Sequence, residues 1–242
     1  MRYKLTMAYD GSKFHGFQRQ TLDMSVQQKL EEALALIFKD KIIIHGAGRT
    51  DAGVHALGQV AHFDSDQEIP CANLKRVLNK RIYPYIYIKD VEIVDNKFHA
   101  QKSAIKKEYH YKVSINEYDP LLNDYYLFFH DRIDITKIRA AMKYIVGTHD
   151  FKSFAKINKK GSTVRTIESF TLDIKDGILT FKIIGNGFLY NMVRIIISLM
   201  LKVGEGKFEP SHIQEILDQK NRKAAPYVAR PNGLYLYKVY YE

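Results

Sequence analysis

The chain has 242 residues, 46% of them apolar, enough for one large domain or two small ones with cores of their own. Its 37 Lys and Arg against 27 Asp and Glu leave a formal charge of +10, which favours a polyanionic partner, nucleic acid above all. The single Cys71 excludes an intramolecular disulfide and any Cys-based zinc site, and no apolar run reaches membrane-spanning length.

Met1 to Thr6 shows no apolar leader segment, so a cytoplasmic protein is expected. The nine histidines are scattered without metal-ligand spacing, so no metal and no other cofactor is expected. Tyr3 to Tyr9 alternates and predicts a strand that Asp10-Gly11 ends. Lys13 to Gln20 then interleaves aromatic, basic and amide groups. That mixture suits stacking on bases and pairing with phosphates, with Phe17, Gln18 and Arg19 the candidates; it suits equally a surface loop whose phenylalanines tuck into the core. Ser25 and Gln28 form a capping box, and Val26, Leu30, Ala33, Leu34 and Ile37 continue as a helical stripe. Lys41 to His45 and Gly58 to Phe63 read as strands on either side of a glycine-rich loop. Pro70 and Cys71 open a helix through Arg81 with a basic outer face, and Tyr85 to Ile88 and Val91 to Val94 are extended. The order is β-α-β-β-α-β, a ferredoxin-like unit.

The second half follows the plan more loosely. Lys106 to Val113 alternates as a strand, and a polar, aromatic insertion runs from Asn116 to about Asp134. Asp134 caps a helix that Gly147 is expected to stop, and Phe151 to Lys160 is a basic loop. Thr163 to Ile174 and Ile178 to Ile184 pair as a hairpin about Asp176-Gly177. An apolar helix from about Leu189 to Val203, a helix capped by Ser211, and a strand from Leu234 to Tyr240 close the chain. The fold class is therefore α+β: two ferredoxin-like or RRM-like units with mostly antiparallel sheets, divided as residues 1–104 and 105–242.

Two stretches carry chemistry. Gly46 to Gly53 holds three glycines in eight residues, with Arg49 and Asp51 two positions apart, so that an extended backbone sends both to one side. The spacing fits neither a phosphate-binding loop nor a dinucleotide fingerprint, and a central carboxylate would repel phosphate. A surface ion pair in an ordinary turn is the plain alternative. Tyr190 to Leu201 is apolar nearly all round except for Arg194, and a buried guanidinium requires a partner: a structural ion pair, an escape to solvent at the helix end, or a functional carboxylate.

Gly48-Arg49-Thr50-Asp51-Ala52-Gly53-Val54-His55-Ala56 resembles the signature of the TruA-type tRNA pseudouridine synthases. Phe188 with Asn191-Met192-Val193-Arg194, the stretch Lys107-Glu108-Tyr109-His110-Tyr111, and Gly233-Leu234-Tyr235-Leu236 resemble three further motifs of that family. The resemblance implies two α+β domains meeting at a central catalytic cleft, a homodimer, and isomerisation of uridine to pseudouridine in the tRNA anticodon stem-loop at positions 38, 39 and 40. It makes Asp51 the nucleophile, Arg194 its partner, and Tyr109 the ring that stacks on the uracil. Leu234 closes the base pocket, and Arg49 fills the space the uridine vacates or holds a phosphate. Flipping the uridine out of its stack costs a few kcal/mol. Lys106, Lys107, Lys156, Lys159, Lys160, Arg165, Arg222 and Lys223 are expected to form an electrostatic track for tRNA. Val228-Ala229-Arg230-Pro231-Asn232 departs from the family's usual approach to Gly-Leu-Tyr-Leu. Two other readings fit the composition: a non-catalytic RNA-binding protein on an RRM-like scaffold, which leaves Asp51 and Arg194 unexplained, and a Gly-rich nucleotide-binding enzyme.

Overall fold

Alternation in the first strand sets the first sheet: Tyr3, Leu5, Met7 and Tyr9 are all buried, and the residues between them are not. The computed structural model describes residues 1–21, 23–156 and 161–242. Along the chain lie β1 (Arg2–Tyr9), α1 (Val26–Phe38), β2 (His45–Gly46), β3 (His55–Asp64), α2 (Cys71–Ile82), β4 (Ile86–Val94), β5 (Lys106–Ser114), β6 (Leu127–Phe128), α3 (Ile135–Met142), β7 (Gly147–Asp150), β8 (Val164–Lys175), β9 (Ile178–Gly185), α4 (Met192–Gly204), α5 (His212–Gln219) and β10 (Leu234–Tyr240). They gather into two units, residues 1–105 with 235–242, and residues 106–234. The last strand, expected in the second domain, thus falls in the first unit.

In the first unit β1 pairs antiparallel with β3 on one side and β4 on the other. The outer edge of β3 is shared. Its C-terminal part pairs antiparallel with β2, through His45 with His62 and Gly46 with Ala61. Its N-terminal end pairs parallel with β10, through His55 with Tyr235 and Ala56 with Leu236. The ferredoxin-like plan is kept, but its β2 is a stub and a strand from the chain's end occupies the rest of the edge.

The shortness of β2 corrects the expected strand from Lys41 to His45. The buried Glu31 of α1 accepts the Ile44 N–H at 3.0 Å, and Gln27 donates to the Ile44 carbonyl at 3.3 Å. Side chains of the helix therefore take the backbone groups that a ladder would have used. The α1 cap is as read: the Ser25 hydroxyl accepts the Gln28 N–H.

In the second unit β5, β9, β8 and β7 lie side by side and antiparallel, and the stub β6 runs parallel to β5. The β8–β9 hairpin turns at Asp176 and Gly177, with φ of 51° and 72°, the two positive values a tight two-residue turn requires. Helix α3 ends at Met142, five residues before Gly147, which begins β7. Helix α4 begins at Met192, later than expected, because Asn191 is left-handed with φ of 62°. Ser211 is itself helical and makes no side-chain cap bond. Ten of the thirteen α4 residues are buried, including Ile195, Ile196, Ile197, Leu199 and Met200. Arg194 is half-buried among them.

Candidate active site

The loop between β2 and β3 is held from beneath by polar groups that the core has swallowed. Thr50 is buried, and its hydroxyl lies 2.8 Å from that of Tyr9. The Gln59 side chain donates to the Gly48 carbonyl at 2.9 Å and to the Tyr9 hydroxyl at 3.4 Å. Burial pushes the Tyr9 phenol up to about 12, so it stays protonated and available as a donor. Neighbouring backbone holds the loop from the side. The Phe17 N–H donates to the Thr50 carbonyl at 3.1 Å, and the Val54 N–H closes a turn on the Asp51 carbonyl at 3.1 Å. On this frame Asp51 stands half-buried at the turn and Arg49 is exposed. Nothing in the spacing of residues announced Tyr9 or Gln59 as the loop's supports, since each is an ordinary strand residue in sequence.

The segment before α1 behaves differently from the RNA-contact reading. Phe17 is only 3% exposed, and its ring packs where a Cβ on Gly46 would lie 2.3 Å from it. Phe14 is buried too. Phe17 is therefore a core residue, its ring taken up by packing against the Gly46 backbone rather than offered to a base. Gln18 is exposed. Arg19 is partly tied down, its guanidinium pairing with the buried Glu31.

In the second unit Tyr109 sits in β5 opposite Ile183, 8% exposed, with the Phe188 ring nearly perpendicular to its own at 5.1 Å between centroids. Arg194 donates through Nε to the Ala229 carbonyl at 2.8 Å and through a terminal nitrogen to Asn191 Oδ1 at 2.9 Å, while the Ala229 N–H donates back to the Arg194 carbonyl at 3.1 Å. The atypical segment 228–232 is thus docked on the arginine helix. Leu234, at its end, is buried. Lys106 makes an ion pair with Glu168 at 2.9 Å. Lys107 is half-buried, and burial, with Arg165 adding, holds its ammonium below the usual lysine range. Lys159 and Lys160 lie outside the described residues.

Among the described residues no group of three or more His, Cys, Asp or Glu side chains could hold a metal ion, and no helix is long and apolar enough to cross a membrane. The family model described as "tRNA pseudouridine synthase" matches residues 5–101 and 141–242. The chain belongs to this family. It is, as a member, an enzyme of the isomerase class. It is 43% identical over 247 residues to the tRNA pseudouridine synthase A of Bacillus subtilis (strain 168), covering all of both chains. It is 45% identical to that of Oceanobacillus iheyensis, covering all of this chain and 97% of the relative, and 41% identical to that of Thermosipho africanus, covering 98% of each. Asp51, Arg49 and Arg194 fall inside the matched stretches, and Tyr109 falls between them.

Proposed function

We propose that this chain isomerises uridine to pseudouridine in the anticodon stem-loop of tRNA, at positions 38, 39 and 40, acting as a cytoplasmic homodimer. The observation that carries the reading is the locked loop: a carboxylate at a turn, backed by a buried Tyr9–Thr50–Gln59 cluster, in the stretch that resembles the family signature. A nucleophile needs a fixed position more than an unusual residue type, because most of its advantage comes from being held in place.

In this reading Asp51 attacks either C1′ of the ribose or C6 of the uracil. The N1–C1′ bond breaks, the ring turns, a C5–C1′ bond forms, the bond from Asp51 to carbon breaks to restore the carboxylate, and the C5 proton leaves for N1 by way of solvent. Atoms and charge balance without a redox partner or group donor. Tyr109 supplies the stacking face for the uracil and Leu234 an apolar wall. Arg194 is the cation that keeps Asp51 ionised, as an opposite charge nearby favours the carboxylate form. Arg49 fills the vacated stack or holds a phosphate. Gln18, Arg19, Lys106 and Lys107 serve the RNA backbone.

The test is pseudouridine formation in an unmodified tRNA transcript by wild type and by Asp51→Asn. The variant keeps the shape and loses the charge. Binding without turnover in the variant, and conversion of anticodon-stem uridines by wild type, support the reading. A variant as active as wild type sinks Asp51 as nucleophile, and binding without reaction by wild type favours a non-catalytic RNA-binding role.

A further inference from the structure

A concave site lies in the second unit, lined by none of the residues the proposed reaction uses. It is a cavity of about 360 Å³, at the small end of the roughly 300–1,000 Å³ common for ligand pockets, and so suits one nucleobase better than a larger ligand. Tyr118, Phe128 and His130 make its aromatic wall, and Arg230 and Asn232 its polar one. Tyr118 meets Phe128 edge to face at 5.0 Å, and His130 lies nearly parallel to Phe128 at 6.4 Å. Tyr118 is 54% exposed, so its ring is available to a partner. Residues 118–130 fall between the two stretches that the family model matches.

The polar wall is built with one bond unmade. The Asn232 amide nitrogen donates to the Asn123 carbonyl at 2.5 Å and to the Tyr126 carbonyl at 2.6 Å. Two carbonyl acceptors fix which end of the amide is nitrogen, because the oxygen would be repelled from both. The other end, Oδ1, is buried and has no hydrogen-bond partner among the described residues. It is an acceptor that lacks an N–H or O–H. Arg230 stands beside it. Its backbone carbonyl is fixed by the Tyr111 hydroxyl at 2.6 Å, and the residue is exposed. An aromatic wall and an exposed cation together match a base with its phosphate. Strand β6 beside this cavity pairs with Val113 and Ser114 of β5, four residues along the same strand from Tyr109, roughly 13 Å at the usual rise.

We propose that this cavity is a second nucleotide subsite, which takes an unpaired base of the RNA substrate near the target uridine. The base stacks on Tyr118 and the Phe128–His130 pair, and Arg230 holds a phosphate. The proposal rests on the reading of Tyr109 and Asp51 given above.

The experiment measures binding of an unmodified tRNA transcript to the full chain over a salt series, with turnover at saturating RNA in parallel. Tyr118→Ala is expected to weaken binding about tenfold and Tyr118→Phe to leave it within about twofold, as base–aromatic stacking predicts. Arg230→Gln is expected to weaken binding and to lower the slope of log affinity against log salt by about one. Turnover at saturation stays near wild type in all three, since none touches the reacting uridine. Wild-type affinity and salt slope in both Tyr118→Ala and Arg230→Gln, with circular dichroism showing them folded, overturn the proposal. Thermal stabilisation of wild type by 5′-UMP or 5′-AMP, lost in the variants while tRNA affinity is unchanged, assigns the cavity to a free nucleotide and overturns it equally. If the variants weaken tRNA binding as expected but wild type forms no pseudouridine, the reaction assigned to Asp51 fails and the subsite stands.

Discussion

The hydroxyl of Tyr9, in the first strand, lies 2.8 Å from that of Thr50, forty-one positions later and next to Asp51. Both are buried, and Gln59 joins them to the Gly48 carbonyl. Tyr9→Phe removes the hydroxyl and leaves Thr50 and Gln59 with an unmet bond apiece. It is expected to cost about 1–3 kcal/mol in urea unfolding, because a buried polar group loses its partner without regaining water. It is also expected to lower the turnover number more than it raises KM for tRNA. Equal stability and equal turnover would show that the cluster does not support the loop.

Gly16 has φ of 90°, and a Cβ there would lie 2.7 Å from the Thr50 carbonyl oxygen. That carbonyl also accepts the Phe17 N–H. Gly16→Ala combines a left-handed backbone with a collision against main chain, so a loss of about 1–3 kcal/mol is expected, with a fall in turnover as the loop is pushed aside. Thermal melts and single-turnover assays check both parts.

His62 is buried against His45 and His99, with ring centroids 5.1 and 4.7 Å away, and its Nδ1 accepts the Ala100 N–H at 3.2 Å. Burial first, and the charges of Arg2, His99 and His45 after it, lower its imidazole to about 4. An unfolded histidine titrates near 6.5. Between these values the unfolded chain binds a proton that the folded chain refuses. Stability is therefore complete above about pH 6.5 and falls as pH drops towards 4, by up to about 3 kcal/mol from this group. His62→Gln, which keeps an acceptor for Ala100, is expected to flatten that part of the stability curve. An unchanged acid slope in chemical denaturation would count against it.

Asn232→Asp is nearly isosteric and should still be harmful. The amide nitrogen faces the Asn123 and Tyr126 carbonyls at 2.5 and 2.6 Å, and a carboxylate oxygen in its place is repelled by both. A loss of about 2–4 kcal/mol is expected from two broken bonds and a poorly solvated charge, recovered in part at low pH where the carboxyl carries a proton. Denaturant midpoints at pH 7 and pH 4 read this directly.

What the sequence alone determined was local. Ser25 caps α1, and Asp176 and Gly177 turn the β8–β9 hairpin, because each needs only residues within a few positions. The Gly48–Ala56 motif and the apolar helix around Arg194 were legible for the same reason: their spacing is a property of the chain. Tertiary structure decided what depends on distant partners. Phe17 reads as a base-stacking ring beside Gln18 and Arg19, yet its ring is buried because Gly46, twenty-nine positions away, leaves room for it. Lys41 to Ile44 has strand composition, yet Glu31 and Gln27 take the Ile44 backbone bonds before a ladder forms. β10 ends the chain but completes the edge of β3, where β2 stops short. Hydrophobic patterning says that a side chain is buried or a backbone extended; only packing says against what, and that choice set the support of Asp51 and the unmet acceptor of Asn232.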